Sequence, residues 1–194
     1  MYHTLLSYIE KHSTTALTVS DIELIQSKFT LKKLRKRQYF LKEGDICKSI
    51  AFIVKGAMRQ YSVDDHGAEH IIQLTIENWW ALDGESFMTL EPSRYYIDAW
   101  EDTIVLILKK TDYYNHLINI PAMVEMMTST KERSAHANQK RLHSLLNDTA
   151  EKRYFNLLNS YPELIQRFPQ YLIASYLGVA KETLSRFKSY SVKK

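Results

Sequence analysis

The segment from residue 170 to residue 189, QYLIASYLGVAKETLSRFKS, constrains the fold more than any other part of the chain. A small residue, Ala174, stands where two helices would cross closely, and Gly178 supplies the permissive backbone of a turn between them. Apolar residues recur at the spacing by which such a unit buries one face: Ile173, Leu177, Val179, Leu184 and Phe187. The segment therefore predicts a helix-turn-helix.

The second helix of this unit should present a polar face. Four residues at positions i, i+1, i+4 and i+5 would point outward and could read base edges in a major groove: Lys181, Glu182, Ser185 and Arg186. Four others are predicted to contact DNA phosphates: Gln170, Tyr171, Thr183 and Lys188. An ordinary helical hairpin with a solvated charged face would show the same spacing and is the alternative.

The net charge of +4 is unevenly distributed along the chain. Residues 148–194 hold eight basic and four acidic side chains, whereas the remainder holds 18 of each. The excess positive charge thus lies on the segment with the predicted helix-turn-helix, where binding to phosphates would require it.

Composition excludes several other classes of protein. The longest apolar runs, 50–54 and 104–108, are too short to span a membrane, and the first residues lack the pattern of a signal peptide, so a cytoplasmic protein without membrane contact is expected. Cys47 is the single cysteine, which excludes an intramolecular disulfide and a thiolate zinc site.

No nucleophile–base pair, phosphate-binding glycine loop or pair of catalytic carboxylates emerges, so no enzyme is expected. His66, Glu69 and His70 could suggest a metal site, but Glu69 and His70 would point to opposite faces of one strand, so no metal or cofactor is expected.

Glycine is concentrated in the first half of the chain, where four of the five glycines lie between residues 44 and 84. They punctuate short segments of β type, with hairpin turns at 55–56 and 64–67. The predicted strands are Gln38–Leu41, Ser49–Val54, Ala57–Val63, Ala68–Ile76, Arg94–Trp100 and Thr103–Lys109. Close, regular spacing favours a small antiparallel roll, preceded by a short helix over 19–29.

A long helix is predicted from Pro121 to Leu146, because this stretch contains no glycine and no further proline. A helix of that length usually has a partner, and apolar residues flank its polar middle: Met123, Met126, Met127, Ala137, Leu142 and Leu145. Asp148 and Glu151 resemble a capping box that begins the next helix. The expected domains are a sensor roll with short helices (1–118), a dimerisation helix (119–147) and a DNA-binding domain (148–194).

Three groups of residues carry a family resemblance over nearly the whole chain. The stretches Phe40–Asp45, Ile50–Gly56 and Arg59–Tyr61 are similar to the opening strands of a cyclic-nucleotide-binding-like β-roll. With the long helix and the terminal segment, the chain resembles the Crp/Fnr superfamily of bacterial transcription regulators. Glu77–Trp80, Asp83 and Pro92–Arg94 further resemble a branch common in Bacteroidetes-type bacteria.

This resemblance implies an α+β protein with an antiparallel β-roll, a long dimerisation helix and a winged-helix-like helix-turn-helix domain. It implies a homodimer that reads a palindromic site in double-stranded DNA, with RNA polymerase as a further partner. Glu182, Ser185 and Arg186 match the family's Glu-x-x-Ser-Arg readers, and Lys181 stands at another basic contact position. Ala180 replaces the hydroxyl residue usual at the start of the recognition helix.

The roll departs from relatives that bind cyclic nucleotides. Gly84-Glu85 is followed by Ser86 instead of an aliphatic residue, and the later pair is reversed as Ser93-Arg94, which would aim the guanidinium at the opposite face of a strand. Cyclic AMP is therefore not expected as a ligand, and an unknown small-molecule effector stays open. The candidate pocket residues are Trp79, Trp80, Glu85, Ser93 and Arg94.

A different class of function also remains open at this stage. The chain could be a small-molecule-binding β-roll module whose helical tail binds a protein partner instead of DNA. The position of the excess charge and the complete set of reader residues favour the transcription regulator.

Overall fold

A computed structural model describes the backbone of residues 1–191 and the side chains of residues 1–186. The chain forms two compact units, one built from Met1–Gln60 and Thr75–Ser134 and the other from Tyr61–Leu74 and Ala135–Lys194. The division passes through strands and through the long helix, so the domain boundaries at 118 and 147 stay predictions.

The order of elements separates a β-rich first half from a helical second half. The first half contains α1 (Tyr2–Lys11), α2 (Val19–Lys28), β1 (Phe29–Leu34), β2 (Tyr39–Leu41), β3 (Ser49–Lys55), β4 (Met58–Val63), β5 (Glu69–Thr75), β6 (Trp80–Ala81), α3 (Gly84–Thr89), β7 (Tyr96–Ala99) and β8 (Thr103–Lys109). The second contains α4 (Lys110–His116), a 3-10 turn (Leu117–Asn119), α5 (Pro121–Asn147), α6 (Ala150–Ser160), α7 (Pro162–Arg167), α8 (Gln170–Leu177) and α9 (Lys181–Ser191).

The strands form two four-stranded sheets, in the orders β1-β8-β3-β6 and β2-β7-β4-β5. β8 runs antiparallel to both of its neighbours, with Phe52 of β3 opposite Leu106. Both side chains are fully buried, which accounts for the continuous apolar runs of these two strands in the sequence. The prediction of a mixed fold with antiparallel sheets and one long helix is confirmed.

The turn between β3 and β4 depends on a glycine. Gly56 has φ +104°, and a Cβ atom there would lie 2.7 Å from Thr103 Cα and 2.9 Å from the Asp102 carbonyl oxygen. These atoms belong to the backbone and cannot move aside. The predicted turn at 55–56 is therefore confirmed, and close packing as well as backbone conformation requires glycine at residue 56.

A buried ion pair joins β4 to β7. Arg59 Nε donates to Asp98 Oδ1 at 2.9 Å and Nη2 donates to Oδ2 at 3.1 Å, while the two side chains are only 2% and 3% exposed. The Trp100 ring lies 5.6 Å from the guanidinium. The two parallel hydrogen bonds offset part of the cost of removing both charges from water.

The first turns of α5 pack into the core of the first unit. Met123 and Met126 are fully buried there, which corrects their assignment to the predicted seam between partner helices. Glu125 accepts hydrogen bonds from the backbone and hydroxyl groups of Thr14 and Thr15, and these lower the pKa of the carboxyl to about 2. The start of α5 is thus fixed by its own chain.

The helix after α5 begins one residue later than predicted. Thr149 is the N-cap of α6, and its hydroxyl accepts from the Lys152 amide at 3.3 Å. The predicted cap, Asp148, instead pairs with Lys152 Nζ at 2.7 Å and accepts from the Ser144 hydroxyl at 2.6 Å, and both contacts lower its pKa. Asp148 therefore ties the end of α5 to the first turn of α6 through side chains, and does not cap the amides of α6.

Candidate functional site

Helices α8 and α9 are joined by a tight turn at Gly178. This residue has φ +64°, and Val179 donates its amide to the Ala174 carbonyl at 3.0 Å, which closes the end of α8. A Cβ atom at residue 178 would lie 3.2 Å from Leu145 Cδ2. The left-handed conformation and this close contact both favour glycine.

Apolar contacts fix the rotation of α9 about its own axis. Leu184 is 2% exposed and lines the same small recess as Ile173 of α8 and Tyr154 of α6. The Ala180 carbonyl accepts the amides of Thr183 and Leu184 at 3.1 and 3.2 Å, so helical bonding starts at residue 180 as expected. Because Leu184 faces inward, the residues on the opposite side of α9 face solvent.

The structure leaves the four candidate base readers exposed, two of them opposite Leu184 and two on the flank of the helix beside it. The exposed side chains are those of Lys181, Glu182, Ser185 and Arg186. Arg186 Nη2 lies 3.5 Å from Thr183 Oγ1, one turn earlier on the same helix. The face offers two cationic groups, a carboxylate and a hydroxyl, which is the mixture of donors and acceptors that base edges require.

The candidate phosphate contacts are more scattered. Tyr171 is exposed, and Gln170 and Thr183 are half-buried. The side chains of Lys188 and Phe187 lie outside the described residues. Contacts of these side chains with DNA stay a prediction.

In the roll, the two adjacent tryptophans have different surroundings. Trp80 is buried in the core, with its ring 5.0 Å from that of Phe52 and 6.2 Å from that of Tyr8. Its indole N–H has no hydrogen-bond partner among the described residues. Trp79 is half-buried. Trp80 thus packs in the hydrophobic core, apart from the charged candidates of the effector pocket.

Asp83 organises the charged part of the roll, although sequence reasoning did not single it out as a site residue. Its Oδ1 accepts the amides of Glu85 and Ser86 and caps α3, while Oδ2 accepts the Ser93 hydroxyl at 2.7 Å. Ser93 is buried by this contact. An aspartate immediately before a short helix that starts with glycine was the available signal.

The structure also brings Glu85 and Arg94 together. Arg94 Nη2 donates to Glu85 Oε2 at 2.9 Å, with the side chains 74% and 59% exposed, and the carboxylate raises the pKa of the guanidinium. The pair lies at an open recess lined by Asp83, Glu85, Ser86, Thr89, Glu91, Pro92 and Arg94. Three carboxylates against one guanidinium make this lining acidic, which opposes the binding of a phosphate.

The described residues also bear on membrane spans and metal sites. Between residues 1 and 191, no helix is both long and apolar enough to cross a membrane. Within the same part of the chain, no three His, Cys, Asp or Glu side chains are grouped so that they could hold a metal ion. His70 at the start of β5 contacts Asp64 of the preceding turn at 2.7 Å.

Comparison with known proteins identifies the fold. Residues 31–118 match the cyclic nucleotide-binding domain family. No curated protein matches the chain in sequence. Solved structures that share the fold include three transcription-related proteins and cover most of the chain.

FixK2 from Bradyrhizobium japonicum is 21% identical, with a TM-score of 0.68 over 84% of this chain and 83% of that one. A CooA variant from Carboxydothermus hydrogenoformans is 16% identical, with a TM-score of 0.69 over 93% and 86%. A regulator from Eubacterium rectale, assigned to the Crp/Fnr family, is 16% identical, with a TM-score of 0.66 over 91% and 85%. Identities at this level show the fold alone.

Proposed function

We propose that this protein is a sequence-specific DNA-binding transcription regulator of the Crp/Fnr type that acts as a homodimer. The observation that carries the proposal is the orientation of α9, whose buried Leu184 leaves Lys181, Glu182, Ser185 and Arg186 exposed on one face. The excess positive charge of residues 148–194 supplies the nonspecific attraction to phosphates. RNA polymerase and membership of the Bacteroidetes-type branch belong to the same proposal.

The reader residues have separate roles in this proposal. Arg186 donates two hydrogen bonds to N7 and O6 of a guanine, and Glu182 accepts from the amino group of a cytosine. Ser185 adjusts to the neighbouring base as donor or acceptor, and Lys181 adds a second cation at the start of the helix. Gln170, Tyr171, Thr183 and Lys188 contact phosphates and hold the helix in register along the groove.

The proposed dimer forms along α5. Ten consecutive residues of this helix, 131–140, are exposed, and so are the apolar side chains of Leu142 and Leu146, at 58% and 75%. Exposed leucines near the end of a long helix are well suited to a partner helix. The polar residues 131–140, which precede these leucines, make the seam weaker than an all-leucine coiled coil.

A dimer of this kind predicts the form of its DNA site. Light scattering should give about twice the mass of the chain, and selection from random DNA should yield an inverted repeat with half-sites centred about 10 base pairs apart, ~34 Å along the duplex. By resemblance to family members with the same readers, each half-site should contain a guanine–adenine step. A monomer at micromolar concentration, or a selected site without two-fold symmetry, would contradict the proposal.

Cyclic AMP should not bind the roll with useful affinity. Arg94 is paired with Glu85, and Ser93 is turned towards Asp83, so the two groups that could hold a cyclic phosphate are engaged by carboxylates. Titration calorimetry with cyclic AMP should show no heat of binding at micromolar concentrations. Micromolar binding accompanied by tighter association with DNA would show that the recess is a nucleotide site after all.

A further inference from the structure

Arg141 of α5 connects three segments of the second unit. Its Nη1 donates to the Ile72 carbonyl of β5 at 2.6 Å, and its Nη2 donates to the Tyr176 carbonyl of α8 at 2.9 Å and to the Ile71 carbonyl at 3.3 Å. The guanidinium carbon lies 4.1 Å from the centre of the Tyr176 ring. One side chain thus touches the long helix, the β4–β5 hairpin and the first helix of the reader pair.

Ser175 of α8 makes a second connection to the same hairpin. Its hydroxyl accepts the Ile71 amide at 2.9 Å and lies 3.4 Å from the Glu69 carbonyl, to which it donates. β5 is the last strand of its sheet, so the outward backbone groups of alternate residues have no neighbouring strand. Ser175 and Arg141 together satisfy the outward amide and carbonyl of Ile71.

The contacts of Arg141 are unusual in their chemistry. The guanidinium is largely buried, and none of the described carboxylates pairs with it; its partners are backbone carbonyls and an aromatic ring. The Tyr176 carbonyl lies at the C-terminal end of α8, where the helix dipole is negative, so a positive charge is favourable there. Burying a charge without a carboxylate partner is costly. The carbonyl and ring contacts offset part of that cost, and they exist only while all three segments stay together.

We propose that Arg141 is a positioning residue that, with Ser175, latches the hairpin and α8 to the C-terminal part of α5. This inference rests on the proposed function. α9 follows α8 after a turn of three residues, and so the direction of α8 sets the direction in which the reader face projects from α5. In a dimer built on α5, the direction of the reader face determines how far apart the two α9 helices lie. It therefore determines which half-site spacing both helices can occupy at the same time.

The test measures spacing preference instead of affinity alone. Wild type and three variants, Arg141→Gln, Arg141→Lys and Ser175→Ala, are titrated with inverted repeats whose half-site spacing is the selected one or differs by one or two base pairs. The matched control is Lys140→Gln, which removes the same charge from the neighbouring, exposed position of α5. Wild type and Lys140→Gln should discriminate sharply between spacings.

Arg141→Gln should lose about tenfold in affinity at the preferred spacing and much less at the others, so that the spacing profile becomes flat. Arg141→Lys should lie between, since a lysine keeps the charge but cannot bridge both carbonyl groups. Ser175→Ala should flatten the profile more weakly. An unchanged profile in Arg141→Gln and Ser175→Ala would overturn the proposal.

Hydrogen exchange of the free proteins gives a readout that does not depend on DNA. The amides of residues 69–72 should exchange faster in Arg141→Gln and Ser175→Ala than in Lys140→Gln. Faster exchange with an unchanged spacing profile would show that the latch holds the hairpin without positioning the reader helix. If wild type bound no inverted repeat while its hairpin stayed protected, the proposed function would fail and the positioning role with it, whereas the latch itself would stand. Should Arg141→Gln not fold, Arg141→Lys and Ser175→Ala decide the outcome.

Discussion

Arg186→Ala should weaken binding to the selected DNA site by about 1–3 kcal/mol and relax the preference for guanine at one position of each half-site. The side chain is exposed on the outer face of α9, opposite the buried Leu184, so its removal should leave the core of the unit intact. Loss of the two donors to a base edge lowers the affinity for the selected DNA sequence more than the affinity for other sequences. Fluorescence anisotropy with a series of single-base substitutions would measure both effects.

Two further variants separate base reading from simple charge. Lys188→Ala should weaken binding to all sequences alike and flatten the salt dependence, as expected of a phosphate contact. Lys152→Ala removes an equal charge that is already paired with Asp148 and lies outside α9, so it should leave the base preference unchanged. If Arg186→Ala lowered the affinity for specific and random DNA equally, α9 would be an electrostatic anchor and the assignment of the readers would be wrong.

Arg59→Met should lower the free energy of unfolding by about 3–5 kcal/mol, because it leaves the Asp98 carboxylate buried without its partner. Replacing both residues, as Arg59→Met with Asp98→Leu, should recover most of that loss. Urea denaturation followed by circular dichroism would give the values. The comparison isolates the cost of an unpaired buried charge from the net contribution of the pair.

The exposed ion pair of the recess provides a control with the same shortest nitrogen–oxygen distance. Arg94 and Glu85 lie at the same 2.9 Å nitrogen–oxygen distance as Arg59 and Asp98, but in solvent. Arg94→Ala should therefore leave the free energy of unfolding nearly unchanged. A similar loss in both variants would mean that burial does not determine the importance of these pairs.

Strands with a continuous run of apolar residues could be predicted from the sequence, whereas strands β1 and β6, which have no such run, were missed. β3 and β8 are continuous apolar runs, and both were predicted within one residue of their observed ends. β1 was missed because only its two terminal residues, Phe29 and Leu34, are buried, and its four middle residues are exposed. β6 has only two residues, too few for any periodicity to appear.

Helical periodicity identified the apolar residues of α5 but could not say what they pack against. Met123 and Met126 have the spacing of a dimer seam, yet they are buried in their own unit, whereas Leu142 and Leu146 are exposed. The same limit applies to the roll. Glu85 and Arg94 were selected as candidates from a motif, but their mutual ion pair depends on three-dimensional contacts that spacing does not reveal.

The exposure of Lys181, Glu182, Ser185 and Arg186 could be predicted from the sequence, whereas their contact with DNA stays a prediction. A single buried leucine and a glycine turn are enough to orient α9, and both are recognisable in the sequence. The latch was not predictable, because its partners are backbone carbonyls of distant segments, and backbone groups carry no sequence signature. Arg141 therefore resembled any other charged residue of a long helix.

The position of β1 at the end of its sheet bears on how two copies of this protein could meet. A free strand edge invites a strand of another copy, which leads to aggregates instead of a defined assembly. The exposed middle of β1 carries Lys32 and Lys33, and two such edges would bring like charges together. Pairing of two copies through β1 is thereby disfavoured.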